Sequence, residues 1–123
     1  MQLDAPLEFH LVNILAKFPF QKLEMIVSNP PYVSSSEKLA MKKNVLDYEP
    51  HLALFVADHD SLIFYDVIAK KGFDALQPNG KAVVEINEKF GKEIREIFTR
   101  TGFRNVQVIK DLRGKDRIVS ATK

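Results

Sequence analysis

Residues 26–32 read IVSNPPY. The apolar run Met25-Ile26-Val27 stops at Ser28-Asn29, because Pro30 and Pro31 lack the N–H that a sheet ladder needs. So short a run is typical of a strand buried on both faces. The two proline rings fix two φ angles, and Pro30 pushes Asn29 away from helical geometry. The corner is therefore rigid before anything binds. In open α/β sheets, ligands bind outside the carboxyl ends of strands, and this corner lies at such an end.

Outward from that strand, the pattern alternates between strand and helix. Residues 7–15, LEFHLVNIL, partly alternate in polarity and predict a strand. Ser35 or Ser36 can cap a helix that Pro50 would end. Residues 61–76 predict a helix, with Tyr65, Ile68, Ala69, Gly72 and Leu76 on one face. QPNG, at 77–80, predicts a turn, and KAVVEI, at 81–86, a short strand. A second helix is expected over residues 88–100, with Gly102 as a left-handed C-cap. Residues 103–109 and 117–121 predict an antiparallel hairpin. The expected fold is an α/β sheet, mostly parallel, with one antiparallel strand at its end.

Composition narrows the function classes. The chain has 123 residues, 46% apolar and 28% charged, which is ordinary for one globular domain. No apolar run approaches the roughly 20 residues of a membrane span, so no membrane association is expected. Asp4, Glu8 and His10 interrupt the start, where a signal peptide would be apolar. There is no cysteine, which suits a reducing, cytoplasmic home and excludes disulfides and thiolate metal sites. A net charge of +2 permits nucleic-acid binding without arguing for it. His10, His51 and His59 lack metal-ligand spacing, and no metal site is expected.

The corner's chemistry follows from its atoms. The Asn29 side-chain oxygen and the Pro30 carbonyl are two acceptors of fixed direction, and Tyr32 offers a flat face. Together they suit a planar –NH2 group: each N–H donates to one oxygen while the plane stacks on the ring. Its nitrogen lone pair can then be aimed out of plane at an electrophile. Amide and aromatic amine nitrogens are poor nucleophiles, so orientation has to supply much of the catalysis, and good alignment contributes roughly 7–11 kcal/mol. A proline pair after a strand also occurs simply as a stiff turn.

The segments IVSNPPYVSSSE, YEPHLAL, FYDVIAKKGFDALQPNGKAVVEI and GFRNVQVIKDLRGKDRIVSA together resemble HemK-type protein-(glutamine-N5) methyltransferases, the peptide-chain release factor methyltransferases. The likeness runs from about residue 7 to the end of the chain. NPPY alone is shared with adenine-N6 nucleic-acid methyltransferases, which keeps that activity as an alternative. YEPHLAL and KDLRGKDR are more specific to the HemK type. The resemblance implies the carboxyl-terminal part of a Rossmann-like class I methyltransferase sheet. It also implies S-adenosylmethionine as cofactor and a release-factor glutamine as substrate. Carried over, Asn29 and the Pro30 carbonyl hold the glutamine amide, Pro31 keeps the loop rigid, and Tyr32 packs against the amide. Tyr48-Glu49-Pro50 would form a wall beside the site. Asn13 falls where the family usually has an Asp near the cofactor adenine.

The chain also departs from that pattern. Nothing like D-x-G-x-G-x-G, the cofactor-binding loop, occurs among its 123 residues. Residues 1–123 therefore read as a partial methyltransferase domain, without that loop and without the family's amino-terminal helical domain. Weak or no cofactor binding is expected of the chain alone. A third reading is a non-catalytic fragment that folds or oligomerises without cofactor. An apolar sheet edge at residues 7–15 or 25–28 would favour a homo-oligomer. Arg113, Lys115 and Arg117, in or beside the hairpin turn, either meet a release-factor or ribosome surface or simply keep an exposed turn soluble.

Overall fold

The short apolar run does form a strand, β1 (Leu23–Ser28). The computed structural model describes residues 6–31 and 62–123. Within them follow helix α1 (Ile63–Ala75), strand β2 (Leu76–Glu85), helix α2 (Gly91–Thr101), and strands β3 (Arg104–Lys110) and β4 (Asp116–Thr122). A single 3-10 turn, Glu88–Phe90, leads into α2. The sheet order is β1-β2-β4-β3. β1 and β2 are parallel, and β4 is antiparallel to both of its neighbours. Three strands therefore run one way, and β4, sitting between β2 and β3, runs against them. That is the α/β sheet expected, except that its antiparallel member, from the terminal hairpin, lies inside the sheet rather than at its end.

Both helices pack on one face. Ile26, Ala82, Val84, Val119 and Ala121 point there, against Ile68 and Ala69 of α1 and Ile94, Ile97 and Phe98 of α2. The ladder aligns these side chains, with Ile26 opposite Ala82 and Val84 opposite Val119. Gly72 lets α1 approach β1 closely: a Cβ there would stand 3.1 Å from the Ile26 Cδ1. Helix α2 ends as anticipated. Gly102 has φ +122°, its N–H donates to the Thr99 carbonyl, and the Phe103 N–H donates to the Phe98 carbonyl. This is a Schellman motif, and Phe98 and Phe103 supply its hydrophobic contact, with ring centroids 5.1 Å apart.

Four expectations need correction or a boundary. Residues 7–15 form no strand. They pass as irregular chain into a turn at residues 14–16. Leu7, Phe9 and Leu11 are exposed, and partial alternation without a partner strand makes no ladder. Second, β1 is buried on one face only. Met25 and Val27 are 55% and 73% exposed, because β1 is an edge of the described sheet and its outer face carries neither helix. Third, QPNG is not a connection between elements but an irregularity inside β2. Leu23 pairs with Leu76 and Met25 with Lys81, so residues 77–80 bulge outward, with Asn79 at φ 68°. The local turn chemistry was real, and the strand resumed around it. Fourth, the helix expected after Ser35 or Ser36 lies outside the described residues.

Candidate amide-binding site

The parallel register places the site. Ser28 pairs with Val84, so the next residues along, Asn29 and Glu85, stand beside each other at the carboxyl ends of β1 and β2. The same residue parity puts Val27, Asn29, Val83 and Glu85 on the face turned away from the helices. A cleft of about 260 Å³ opens there, lined by Val27, Ser28, Asn29, Val83, Glu85, Arg117 and Ile118. Asn29 is exposed at its rim, whereas Pro30 is buried and Pro31 half-buried. The proline anchor is thus packed into the protein and the amide stands out from it. Tyr32, Tyr48, Glu49 and Pro50 lie outside the described residues.

Two hydrogen-bonded devices hold the strand ends that frame this cleft. The fully buried Tyr65 of α1 donates its hydroxyl to the Glu85 carbonyl at 2.8 Å, which fixes the end of β2 from the helix side. On the far side, Asp111 organises the hairpin turn. Its Oδ1 accepts from the N–H groups of Arg113 and Lys115 at 2.8 and 3.0 Å, and its Oδ2 accepts from the Arg117 guanidinium at 3.4 Å. The Lys115 N–H, aided by those of Arg113 and Arg117, holds the Asp111 carboxyl below the usual carboxylate range, against an opposing effect of desolvation second only to the Lys115 bond. The Ile86 N–H then donates to the Arg117 carbonyl at 2.9 Å, which ties the turn to β2.

Asn13 is not brought to this cleft. It is exposed and spends its oxygens on its own turn: Oδ1 accepts from the Leu15 N–H at 3.1 Å, and its carbonyl accepts from Ala16 and Lys17. Its neighbour Ile14 lines a larger groove of about 770 Å³ along the β1 edge, together with Phe18, Phe20 and Leu23. The described residues do not fit S-adenosylmethionine as a complete site. No Gly-rich loop occurs among the described residues to bring backbone N–H groups to a carboxylate, and the Asn13 side-chain oxygen already accepts the Leu15 N–H. His10 meets Glu8 at 3.2 Å and stands edge-on to Phe20, a surface arrangement.

Sequence reasoning missed Val83, Glu85 and Ile118, and it read Arg117 as a turn residue, for solubility or for a release-factor or ribosome surface, rather than as part of this cleft. One signal was present: Glu85 is the single charge in the apolar run AVVEI.

No protein-family profile matches the chain. Among curated proteins, it is 44% identical to the release factor glutamine methyltransferase of Bacteroides thetaiotaomicron, over 99% of this chain and 45% of that protein. It is 48% identical to the protein of that name from Flavobacterium psychrophilum, over 80% of this chain and 35% of that one. Among solved structures, a methyltransferase from Pyrococcus furiosus superposes with a TM-score of 0.54 at 23% identity, over 84% of this chain and 42% of that chain, a likeness of fold. The chain thus spans less than half the length of the curated relatives it matches. At that identity over nearly its whole length, the chain belongs to the release factor glutamine methyltransferase family.

Proposed function

We propose that this chain supplies the amide-binding edge of an enzyme that transfers a methyl group from S-adenosylmethionine to the side-chain amide nitrogen of a glutamine in a peptide-chain release factor. The observation that carries the reading is the corner itself. Asn29 stands at the carboxyl end of β1, on the rim of a cleft, directly after a strand and before a buried proline. The Asn29 side-chain oxygen and the Pro30 carbonyl each accept one amide N–H, and Tyr32 packs on the amide plane. Pro31 limits the movement of both acceptors. These residues orient a weak nucleophile, and the direction of its lone pair is what they contribute to the rate.

The cofactor belongs to parts of the complete enzyme beyond these residues, with Asn13 at most at its margin. The chain alone therefore binds S-adenosylmethionine weakly or not at all. Tight stoichiometric binding in calorimetry would overturn that statement. The substrate is tested directly: the complete enzyme, given labelled methyl donor, is offered release factor or adenine-containing DNA. Label on a release-factor glutamine supports the reading. Label on DNA alone replaces it with the adenine-N6 alternative.

A further inference from the structure

Glu85 has no task in the orientation of the amide, yet it is the residue closest in register to Asn29. It sits beside Asn29 across the parallel ladder, on the same face and in the same cleft. Its backbone is held from behind by the Tyr65 hydroxyl, so strand alternation sends its side chain to the cleft face. A carboxylate at the end of the otherwise apolar run AVVEI forfeits apolar burial, and among the described residues its carboxyl group enters no hydrogen bond or ion pair. Val27, Val83 and Ile118 form the apolar floor beside it, and Arg117, whose guanidinium donates to Asp111, also lines the cleft.

We propose that Glu85 is a specificity-determining residue of this cleft: its carboxylate accepts a backbone N–H of the peptide that flanks the target amide and repels a phosphodiester chain. This rests on the assignment of Asn29 as the amide holder. An extended peptide presents N–H and C=O groups in alternation a few ångströms apart. A cleft lined by a carboxylate acceptor meets the N–H groups of such a peptide. A nucleic-acid strand that delivered an adenine to Asn29 would bring its phosphates past the same carboxylate, and like charges in a partly dry cleft exclude each other.

The test uses the complete enzyme and two fluorescent probes, a glutamine-containing peptide and a single-stranded adenine-containing oligonucleotide, with dissociation constants read by anisotropy. Glu85→Gln is expected to weaken the peptide by roughly tenfold, the scale of one charge-assisted hydrogen bond. Glu85→Lys is expected to weaken the peptide further and to strengthen the oligonucleotide. A third arm leaves the protein intact: peptides N-methylated one at a time at the residues flanking the glutamine. One of them should lose affinity for wild type, and Glu85→Gln should lose little more on that peptide, the signature of a coupled pair. If no N-methyl position matters, or if both variants bind both probes as wild type does, Glu85 is not a specificity residue and Asn29 keeps its role. If Asn29→Ala leaves peptide affinity and methylation intact, the assignment of Asn29 fails, and this proposal fails with it.

Discussion

The Tyr65 hydroxyl donates to the Glu85 carbonyl at 2.8 Å, so a side chain buried among the helices holds the strand end beside Asn29. Tyr65→Phe keeps the ring and removes the bond. It should lower stability by about 0.5–1.5 kcal/mol, the usual net worth of one internal hydrogen bond. Urea unfolding with an unchanged m value is the measurement. A variant as stable as wild type would mean that water replaces the hydroxyl without cost.

On the proposed reading, Asn29→Ala removes one of two acceptors from the target amide. In the complete enzyme, single-turnover methylation should fall at least roughly tenfold to a hundredfold, with cofactor affinity little changed. Asn29→Asp keeps an acceptor in place and should retain more activity than the alanine variant, less the cost of burying its charge. Tyr32→Phe should be mild, because packing on the amide needs the ring, and Tyr32→Ala severe. A wild-type rate for Asn29→Ala would reduce the corner to a stiff turn.

The hairpin turn should respond to acid. The Asp111 carboxyl is held below its ordinary value, chiefly by the Lys115 N–H. A depressed folded-state pKa means that its contribution to stability is complete above the unfolded value, roughly 3.9, and is lost as pH falls through the lower folded value. Amide exchange at Arg113 and Lys115 should therefore accelerate only in that acid range. Asp111→Ala should show the fast exchange at neutral pH. Equal protection at Lys115 in both proteins would contradict the role given to Asp111.

Gly102, like Gly114 at φ +80°, is a glycine whose backbone requires it. At φ +122°, an L side chain is strained, and an added Cβ would meet the Phe73 ring at 3.2 Å. Gly102→Ala should destabilise by about 1–2 kcal/mol. Thermal unfolding checks this, and an unchanged midpoint would mean that the Schellman turn relaxes freely.

The β1 edge predicts self-association of the isolated chain. Met25 and Val27 are exposed on a strand with no outer neighbour among the described residues. Such edges recruit other chains. Light scattering should give a mass that rises with concentration, and Val27→Lys should lower it. A clean monomer at high concentration sinks the expectation.

The sequence carried the elements better than their limits. Apolar stripes placed both helices within about three residues, because the faces of Ile68 and Ile94 are set by core packing, as periodicity assumes. It misread residues 7–15 because alternation records a preference, while a strand exists only when a partner takes its hydrogen bonds. QPNG misled for the opposite reason. Asn79 at positive φ is genuine turn chemistry, but the ladder on either side of it is longer-ranged than any local signal. The strand end at Asn29 and Pro30 was legible because prolines constrain the backbone directly. Glu85 and Arg117 were not, because register alone brings them to Asn29, and register is a property of the paired sheet.

The place of β4 has a consequence during synthesis. It follows β3 in the chain yet lies between β2 and β3, so β3 is attached to the rest of the sheet only through it. Until residues 116–122 have left the ribosome, the β2 edge at Val84 stays open and β3 has no strand to join. Both are then available to a wrong partner, and a holding chaperone would act in that interval. Stalling translation on carboxyl-terminal linkers that hold this strand inside the exit tunnel or clear of it, and probing the nascent chain with protease, would show the sheet locking in one late step.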